Sequence, residues 1–225
     1  MKIFIVIPVF NEEKVIESVI EEIKNSGYQN IIAVDDGSSD ETFKKINSLE
    51  NVVALKHGIN RGKGATVKTG IEAAKMLGAD VVVTLDGDGQ HNPSEIKDLT
   101  RAITEEGNDV ALGTRLKERK KMPFLRKIYN NIGNFITWYL FGIWVNDSQS
   151  GFRAYSSYAV EKIDTQGDRY EYESEVIKEI AHHKLSFKEV PIQVRYTDYS
   201  KNKAHQQGLT NGFKTVYKLI LNIIK

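Results

Sequence analysis

Val81-Val82-Val83-Thr84-Leu85-Asp86-Gly87-Asp88-Gly89-Gln90-His91 is the stretch that decides the fold class of this chain. An apolar run leads directly into two carboxylates that are one residue apart. A second stretch has the same design, since Ile31-Ile32-Ala33-Val34 leads into Asp35-Asp36-Gly37-Ser38-Ser39-Asp40. Short runs rich in Val and Ile are typical of buried strands in a parallel sheet. Ligands of open α/β sheets bind beyond the carboxyl ends of the strands, so both acidic clusters are predicted to face one pocket.

Strand-like and helix-like segments alternate outward from these two clusters. Strands are predicted at residues 3–7, 31–35, 52–56, 81–86, 109–113 and 187–196, and helices at 12–25, 41–48, 62–77 and 93–105. Such alternation is built from βαβ units with right-handed crossovers. We therefore expect an α/β fold, a mainly parallel sheet flanked by helices. One domain over residues 1–225 is expected, since the second half shows no linker or internal repeat.

Composition limits the classes of partner and compartment. The formal net charge of +1 gives no reason to expect nucleic acid as a partner, and the absence of cysteine excludes disulfides and thiolate metal sites. The N-terminus lacks a signal-peptide pattern, and no stretch reaches the roughly 18 to 20 apolar residues of a spanning helix. These features predict an intracellular protein without a membrane span. The oligomeric state is not predicted.

The carboxylates of Asp86 and Asp88 suit a divalent cation. Hard oxygen ligands are those that Mg²⁺ and Mn²⁺ prefer, and Mg²⁺ commonly keeps water and substrate phosphates as its other ligands. Gln90 can add an oxygen or orient a water, whereas His91 is expected to make a hydrogen bond at the start of a helix. The pattern predicts Mg or Mn held against a nucleotide diphosphate. Solvated turn acids are the alternative that stays open.

Seven motifs, in order, give the chain a resemblance to a known family. They are PVFNEE (8–13), VDDGSSD (34–40), NRGKGA (60–65), DGDGQH (86–91), GTR (113–115), DSQSGFR (147–153), and 190–195 followed by Ser200-Lys201. Over about residues 1–203 the chain resembles family 2 glycosyltransferases, which have the GT-A fold. The resemblance implies a nucleotide-sugar-binding half at 1–115 and an acceptor-side half with interfacial helices at 116–225. The later motifs resemble the dolichyl-phosphate mannose synthase branch, which loads a sugar onto a polyprenyl phosphate.

The resemblance implies where a nucleotide-sugar donor binds. Pro8, Phe10 and Glu12 are expected to line the base and the ribose, and Asp36, two residues after the strand residue Val34, to hydrogen-bond the base. Phe10 stands where the family commonly has Tyr, so a hydroxyl contact is lost there while stacking can persist. For Asp36 the alternative is an Asx-turn residue that closes a β-turn.

Basic groups near these motifs predict the phosphate contacts. Lys63, between two glycines at a loop-to-helix junction, is placed to meet the donor diphosphate, and glycine needed for close helix packing is the alternative. Guanidinium forks fit phosphate oxygens, so Arg115 and Arg195, with Arg126 and Arg153 as further candidates, are predicted to bind the acceptor phosphate. The predicted catalytic residues are Asp88, Arg115 and Arg195. The predicted donor site comprises Pro8, Phe10, Glu12, Val34, Asp36, Lys63, Asp86, Gly87, Asp88, Gln90, Arg115, Arg195 and Lys201.

The expected reaction is inverting transfer of a sugar from a GDP-mannose or UDP-hexose type donor to a polyprenyl phosphate. A phosphate monoester is largely ionised at neutral pH and needs no strong general base. An alcohol acceptor would need a carboxylate base, for which residues 170–175 offer candidates. Three alternatives stay open: a family 2 enzyme acting on a sugar hydroxyl, a nucleotidyltransferase, and a nucleotide-sugar sensor or scaffold.

A basic segment followed by an aromatic one predicts contact with a membrane surface. Residues 115–127 contain seven basic side chains against the single acid Glu118, and residues 128–145 include Trp138 and Trp144. This order is typical of an interfacial helix, although a core-packing helix is the alternative. Apolar residues at helical spacing over 209–224 leave docking on the domain or on the membrane open. We expect peripheral attachment at the cytoplasmic face.

Vesicle binding tests the surface segment. Each basic side chain near an anionic bilayer contributes on the order of 1 kcal/mol, and salt screens this attraction. Co-sedimentation should therefore increase with the anionic lipid fraction and decrease with salt, while neutral phosphatidylcholine vesicles serve as the control. The fluorescence of Trp138 and Trp144, the two tryptophans of the chain, should shift to the blue on binding. Failure to co-sediment at low salt would contradict the prediction.

Overall fold

The computed structural model describes residues 1–115, 138–139, 141–169 and 171–195. Within these residues, seven strands form one sheet in the order β3-β2-β1-β4-β6-β5-β7. The strands are β1 (Ile3–Val9), β2 (Ile31–Asp35), β3 (Val52–Lys56), β4 (Val81–Thr84), β5 (Val110–Thr114), β6 (Arg153–Ser156) and β7 (Phe187–Pro191). The predicted α/β fold with a mainly parallel sheet is confirmed.

The helices lie between the strands as the alternation predicts. They are α1 (Ile16–Asn25), α2 (Thr42–Ser48), α3 (Lys63–Met76), α4 (Ile96–Thr104), α5 (Ser157–Lys162) and α6 (Glu171–His182), with a 3₁₀ turn at Pro93–Glu95 before α4. Helix α1 begins four residues later than predicted, after a turn in which Val15 N donates to Glu12 O at 3.0 Å. Strand β7 ends at Pro191, earlier than predicted, and the chain then pairs Val194 with His91.

Strand β6 was not predicted, and it is the exception to parallel pairing. It lies between β4 and β5 and is antiparallel to both. Its sequence, Arg-Ala-Tyr-Ser, has no apolar run, so periodicity gives no strand signal there. The strand is specified by its neighbours, because Thr84 of β4 and Leu112 of β5 both pair with Arg153.

Alternate residues of the central strand β1 enter two separate cores. Ile5 and Ile7 pack with the buried faces of α1 and α4 on one side of the sheet. Val6 packs with residues of α3 and α6 on the other side. Helix α3 approaches β1 closely at Gly70, where an added Cβ would lie 2.3 Å from Val6 Cγ1. This close approach fixes the start of α3 relative to the strand ends.

The carboxyl ends of six strands meet at one edge of the sheet. Strands β1 to β4 are mutually parallel, β5 is parallel to β7, and the antiparallel β6 relates β4 to β5. Strand β6 runs the other way, so its first residue lies at this same edge. The acidic clusters that follow β2 and β4, Arg115 after β5, and Arg153 are therefore brought to a common edge, as the sequence predicts for the two clusters.

The predicted membrane segments, residues 124–145 and 209–224, fall largely or wholly outside the described residues. Of the first segment, Trp138, Tyr139 and Trp144 are exposed, whereas Val145 is fully buried in the core. Within the part of the chain that the structure describes, no helix has both the length and the apolar character that are needed to cross a membrane.

Replacing Gly70 tests the close approach of α3 to β1. Gly70→Ala should lower the free energy of unfolding by about 1–2 kcal/mol, because overpacking typically costs about 1–3 kcal/mol and the gain in helix propensity returns at most about 1 kcal/mol. Gly58→Ala is the matched control, since a Cβ at that position would meet nothing within 4 Å. Urea unfolding measures both, and a Gly70→Ala variant as stable as the parent would contradict the packing.

Candidate active site

An ion-paired cluster lies where α3, β4 and α6 meet. The Nζ of Lys63, the first residue of α3, lies 2.6 Å from Asp86 Oδ1 and 3.1 Å from Glu173 Oε1. The other oxygen of Asp86, Oδ2, lies 3.4 Å from His91 Nε2. The partner of His91 is therefore a carboxylate of the acidic cluster, rather than the helix start that the sequence predicts.

Opposite charges keep the Lys63–Asp86 pair ionised. Burial acts to lower the pKa of Lys63, but the charges of Asp86 and Glu173 outweigh it and raise that pKa above its usual value. Burial acts to raise the pKa of Asp86, but Lys63 and His91 outweigh it and hold that pKa well below its usual range. Neither partner loses its charge near neutral pH.

In contrast to Asp86, the carboxyl of Asp88 has a raised pKa. Burial raises the pKa of its carboxyl, and the negative charge of Asp86 raises it further. Gln90 donates from its backbone N to Asp88 Oδ1 and from Nε2 to Oδ2, both at 3.0 Å. Gln90 thus orients the Asp88 carboxylate in this structure, and its role as a metal ligand stays a prediction.

The pair Asp86 and Asp88 fits a divalent cation. Asp86 already holds a cation, the Lys63 ammonium, whereas burial and the charge of Asp86 raise the pKa of Asp88. Among the described residues there is no group of three or more His, Cys, Asp or Glu side chains that could hold a metal ion. Any Mg²⁺ or Mn²⁺ here would therefore take its other ligands from a diphosphate and from water, which is common for Mg²⁺.

Asp36 organises the loop before α3. Its Oδ1 accepts from His57 Nδ1 at 2.8 Å and from Arg61 N at 2.9 Å, and its Oδ2 accepts from Gly62 N at 2.8 Å. The local bond of the turn belongs instead to Asp35, which accepts from the backbone N of Ser38. The Asx-turn alternative is therefore wrong for Asp36, and its contact with a base stays a prediction.

The start of α3 is covered by backbone rather than left open to an anion. Ala65 N donates to Asp168 O at 3.0 Å. Cβ atoms added to Gly62 and Gly64 would lie 2.5 Å from Asp168 O and 2.7 Å from Gly167 O. The two glycines thus serve close packing, which was the alternative for this motif. The ammonium of Lys63 remains the group of this motif that faces the carboxylates.

The other predicted donor residues have different exposures. Pro8 lines a small cleft beside Lys63 and Asp86. The side chain of Phe10 is exposed, as base stacking requires, and that of Glu12 is buried. Val34 is fully buried in the core, so its side chain does not line the cleft, and a donor contact there would have to use its backbone.

Gly87 allows the acidic loop after β4 to approach the end of β1 closely. A Cβ on Gly87 would lie 2.6 Å from Val9 Cγ1 and 3.3 Å from Pro8 O, so a larger residue would push the acidic loop away from the end of β1. Gly87 therefore positions Asp86 and Asp88 against the strand that carries Pro8. Its contact with the donor stays a prediction.

The predicted phosphate-binding arginines are held by acidic or amide side chains. Arg115 Nε and Nη2 donate to the two carboxylate oxygens of Asp147, at 2.5 and 2.7 Å. Arg195 Nη1 donates to Glu22 Oε2 at 2.5 Å and its Nη2 to Asn92 Oδ1 at 2.7 Å. Arg195 also lies beside the acidic loop, since its backbone N donates to Gln90 O. Arg126 and Lys201 lie outside the described residues.

Arg153 has a structural position rather than an exposed one. It is 1% exposed and lines the cleft beside Lys63 and Asp86, and its contact with an acceptor phosphate stays a prediction. Its Nε donates to Ser150 O, and its Nη2 donates to Ser148 O and Glu173 O. Arg153 therefore fixes the turn before β6 against the first turn of α6, which holds Glu173 beside Lys63.

Sequence reasoning missed two residues of this site. Glu173 was considered only as a candidate base within an acidic helix start, and Asp147 only as part of a motif. Asp147 has no basic neighbour in the sequence that would indicate an ion pair, since its pairing with Arg115 spans 32 residues and is set by the tertiary fold. Glu173 reaches Lys63 only because α3 and α6 pack against the same side of the sheet.

The chain is similar to a known family and to proteins within it. The sequence profile of Glycosyl transferase family 2 matches residues 4–164. A UDP-N-acetylglucosamine–dolichyl-phosphate N-acetylglucosaminyltransferase of Methanococcus voltae is 39% identical over 97% of this chain and 95% of its own length. A polyprenol monophosphomannose synthase of Mycolicibacterium smegmatis is 29% identical over 71% of this chain and 63% of its own length.

Solved structures support the fold. The S. aureus TarS 1–349 structure in complex with UDP superposes with a TM-score of 0.59 at 17% identity, over 84% of this chain and 58% of that one. At this identity the likeness concerns the fold alone. It agrees with a GT-A arrangement of a mixed α/β sheet flanked by helices.

The raised pKa of Asp88 gives a pH-dependent prediction for the metal-free protein. Because folding raises this pKa, the ionised carboxylate destabilises the fold at neutral pH. Asp88→Asn should therefore raise the free energy of unfolding at pH 7 in excess chelator, and its advantage should fade as the pH falls towards 3.8, the ordinary pKa of aspartate. Asp164→Asn, at an exposed loop position, is the control. A destabilised Asp88→Asn variant at pH 7 would contradict the assignment.

Proposed function

The chain belongs to glycosyl transferase family 2, and we propose that it transfers N-acetylglucosamine from a UDP-linked donor to a polyprenyl phosphate. The relative from Methanococcus voltae supports this choice of sugar and acceptor, because it matches along nearly the whole of both chains. The mannose-transferring relative is less similar and matches a smaller share. The sequence resemblance to the mannose synthase branch therefore supports the acceptor class better than it supports the sugar.

The observation that carries the proposal is the Lys63–Asp86–Asp88 cluster at the carboxyl edge of the sheet. Asp86 and Asp88 offer hard oxygens for Mg²⁺ or Mn²⁺, and Lys63 offers an ammonium for diphosphate oxygens. When bound, the metal would supply positive charge against the departing diphosphate. Pro8 and Phe10, at the end of β1, and Asp36, at the end of β2, lie at the same edge and are proposed to receive the uridine.

The proposed reaction follows from the charge of the acceptor. A phosphate monoester oxygen attacks the anomeric carbon, the bond from that carbon to the UDP oxygen breaks, and its electron pair leaves with UDP, so the configuration inverts. The acceptor is already largely ionised near pH 7 and requires no proton transfer to a base. Positioning and electrostatic stabilisation can therefore carry the catalysis. The competing acceptor, a sugar hydroxyl, would need a base, and Glu173, the buried carboxylate of the cleft, is engaged by Lys63.

Arg115 and Arg195 are proposed to bind the acceptor phosphate. Arg115 already presents two parallel N–H donors to a carboxylate, and the same fork fits phosphate oxygens. Arg195 lies beside the acidic loop through its bond to Gln90 O, and its guanidinium is partly exposed. Lys201 is proposed to join Arg195 if that arginine serves the donor diphosphate instead. A lipid acceptor also requires the protein at a membrane surface, which we propose is reached peripherally, at the cytoplasmic face, through residues 124–145.

A transfer assay tests the function. The full chain is incubated with a short polyprenyl phosphate, Mg²⁺ or Mn²⁺, and UDP-N-acetylglucosamine, UDP-glucose or GDP-mannose, and both nucleotide release and the glycolipid mass are measured. We expect UDP-N-acetylglucosamine to be preferred and excess chelator to abolish transfer. Asp88→Asn should lower kcat/KM by several orders of magnitude, because losing metal-based charge stabilisation costs several kcal/mol. Asp164→Asn should leave it unchanged.

The outcomes separate the parts of the proposal. Full activity in excess chelator would reject the metal assignment. Transfer from GDP-mannose but from neither UDP-sugar would reject N-acetylglucosamine as the sugar and would leave polyprenyl phosphate as the acceptor. Extension of a water-soluble sugar acceptor, without reaction of the polyprenyl phosphate, would reject the acceptor class and return the function to glycan assembly.

A further inference from the structure

Lys63 occupies one of the oxygens that a metal at Asp86 would use. Its ammonium lies 2.6 Å from Asp86 Oδ1 and contacts Glu173 Oε1 on its other side. The site proposed for the metal is therefore closed by an internal cation in the protein without ligands. This step rests on the proposed function, since it assumes that Asp86 is a metal ligand.

The ammonium and a divalent ion cannot share that position at low cost. Mg²⁺ requires oxygen ligands at about 2.0–2.1 Å, closer than the present contact of the ammonium. A metal ion and Lys63 on one carboxylate oxygen would place three positive charges together in a half-buried cleft. Like charges at such a distance disfavour each other strongly where water is partly excluded. A metal must therefore displace the ammonium before it can bind Asp86 Oδ1.

The structure provides a second partner for the displaced ammonium. The Glu173 side chain is 4% exposed, and among the described residues its Oε2 has no hydrogen-bond partner. Arg153 fixes this part of α6 through the bond from its Nη2 to Glu173 O, so the carboxylate is held in place. The buried Glu173 carboxylate therefore remains as a partner for the Lys63 ammonium when Asp86 binds a metal ion.

The Lys63 ammonium has little room to move towards the turn before β6. Gly151 approaches so closely that an added Cβ would lie 2.5 Å from Lys63 Nζ and 3.1 Å from Asp86 Oδ1. The ammonium is thus bounded by Gly151 on this side and by Glu173 on the other. The diphosphate of a donor at the same edge would offer the additional negative oxygens that an ammonium leaving Asp86 requires.

We propose that Lys63 is an internal counter-cation of Asp86 that the metal displaces, and that the displaced ammonium then binds the donor diphosphate. The ammonium weakens binding of the metal alone and strengthens binding of the donor with its metal. Lys63 thereby couples the two ligands, and the coupling is reciprocal, because each ligand changes the affinity of the other by the same factor. The contact of Lys63 with Asp86 therefore disfavours metal binding while no donor is bound.

One substitution separates this proposal from a structural role of Lys63. The affinity of the full chain for Mn²⁺ alone is measured from the free Mn²⁺ signal in electron paramagnetic resonance, and the affinity for UDP at saturating Mn²⁺ is measured by calorimetry. Lys63→Gln should bind Mn²⁺ alone roughly tenfold more tightly than the parent and UDP roughly tenfold more weakly, a factor within the usual range of coupling between sites. Lys63→Met serves as a second variant should the first fold poorly.

Lys68→Gln is the matched control. It removes the same charge from the same helix, where Lys68 pairs with Asp168 at 2.7 Å, and should change neither affinity appreciably. Weaker binding of both ligands by the Lys63 variants would overturn the proposal and make Lys63 structural. Unchanged Mn²⁺ affinity would also overturn it. Absence of UDP binding by the parent with Mn²⁺ would overturn the proposed function, while the effect of the Lys63 variants on Mn²⁺ alone would still decide the counter-cation.

Discussion

The contact of the Lys63 ammonium with Asp86 and Glu173 joins the first residue of α3, the end of β4 and the first turn of α6. Buried charges are costly unless they are paired, so each partner limits where the other two elements can lie. The close approach of α3 to β1 at Gly70 and the anchoring of α6 by Arg153 both hold this contact in place. These three elements converge on one half-buried pair of opposite charges, which lines the cleft.

Parallel pairing explains why chemistry concentrates at one edge. Each parallel strand delivers the residues that follow it to the same side of the molecule, which gives Asp36, Asp86 and Arg115 a common location although they are far apart in the sequence. Because β6 is antiparallel, the residues that it brings to that edge are those that precede the strand rather than those that follow it. Its preceding turn supplies Gly151, whose missing side chain leaves room for the ammonium.

Stability and function make opposite demands on Asp88. Its carboxyl is buried beside a carboxylate that already has a cation, so its own charge is poorly compensated and its pKa is raised. In the metal-free protein, replacing Asp88 with a neutral residue of the same size would raise the free energy of unfolding. The two carboxylates are the ligands proposed for a further cation, which would compensate the charge of Asp88. Family 2 membership agrees with that use.

The sequence alone determined the α/β class, five of the six predicted strands close to their observed bounds, the four helices before β5 and the common edge of the two acidic clusters. Each follows from local signals: apolar runs, helical spacing and the direction of parallel strands. Tertiary structure alone decided the antiparallel β6, the burial of Arg153, and the pairing of Arg115 with Asp147. It also decided that Lys63 faces Asp86 and Glu173. The pairings of β6, of Arg115 and of Lys63 join residues 23 to 110 positions apart, and no local pattern encodes which charges such contacts bring together.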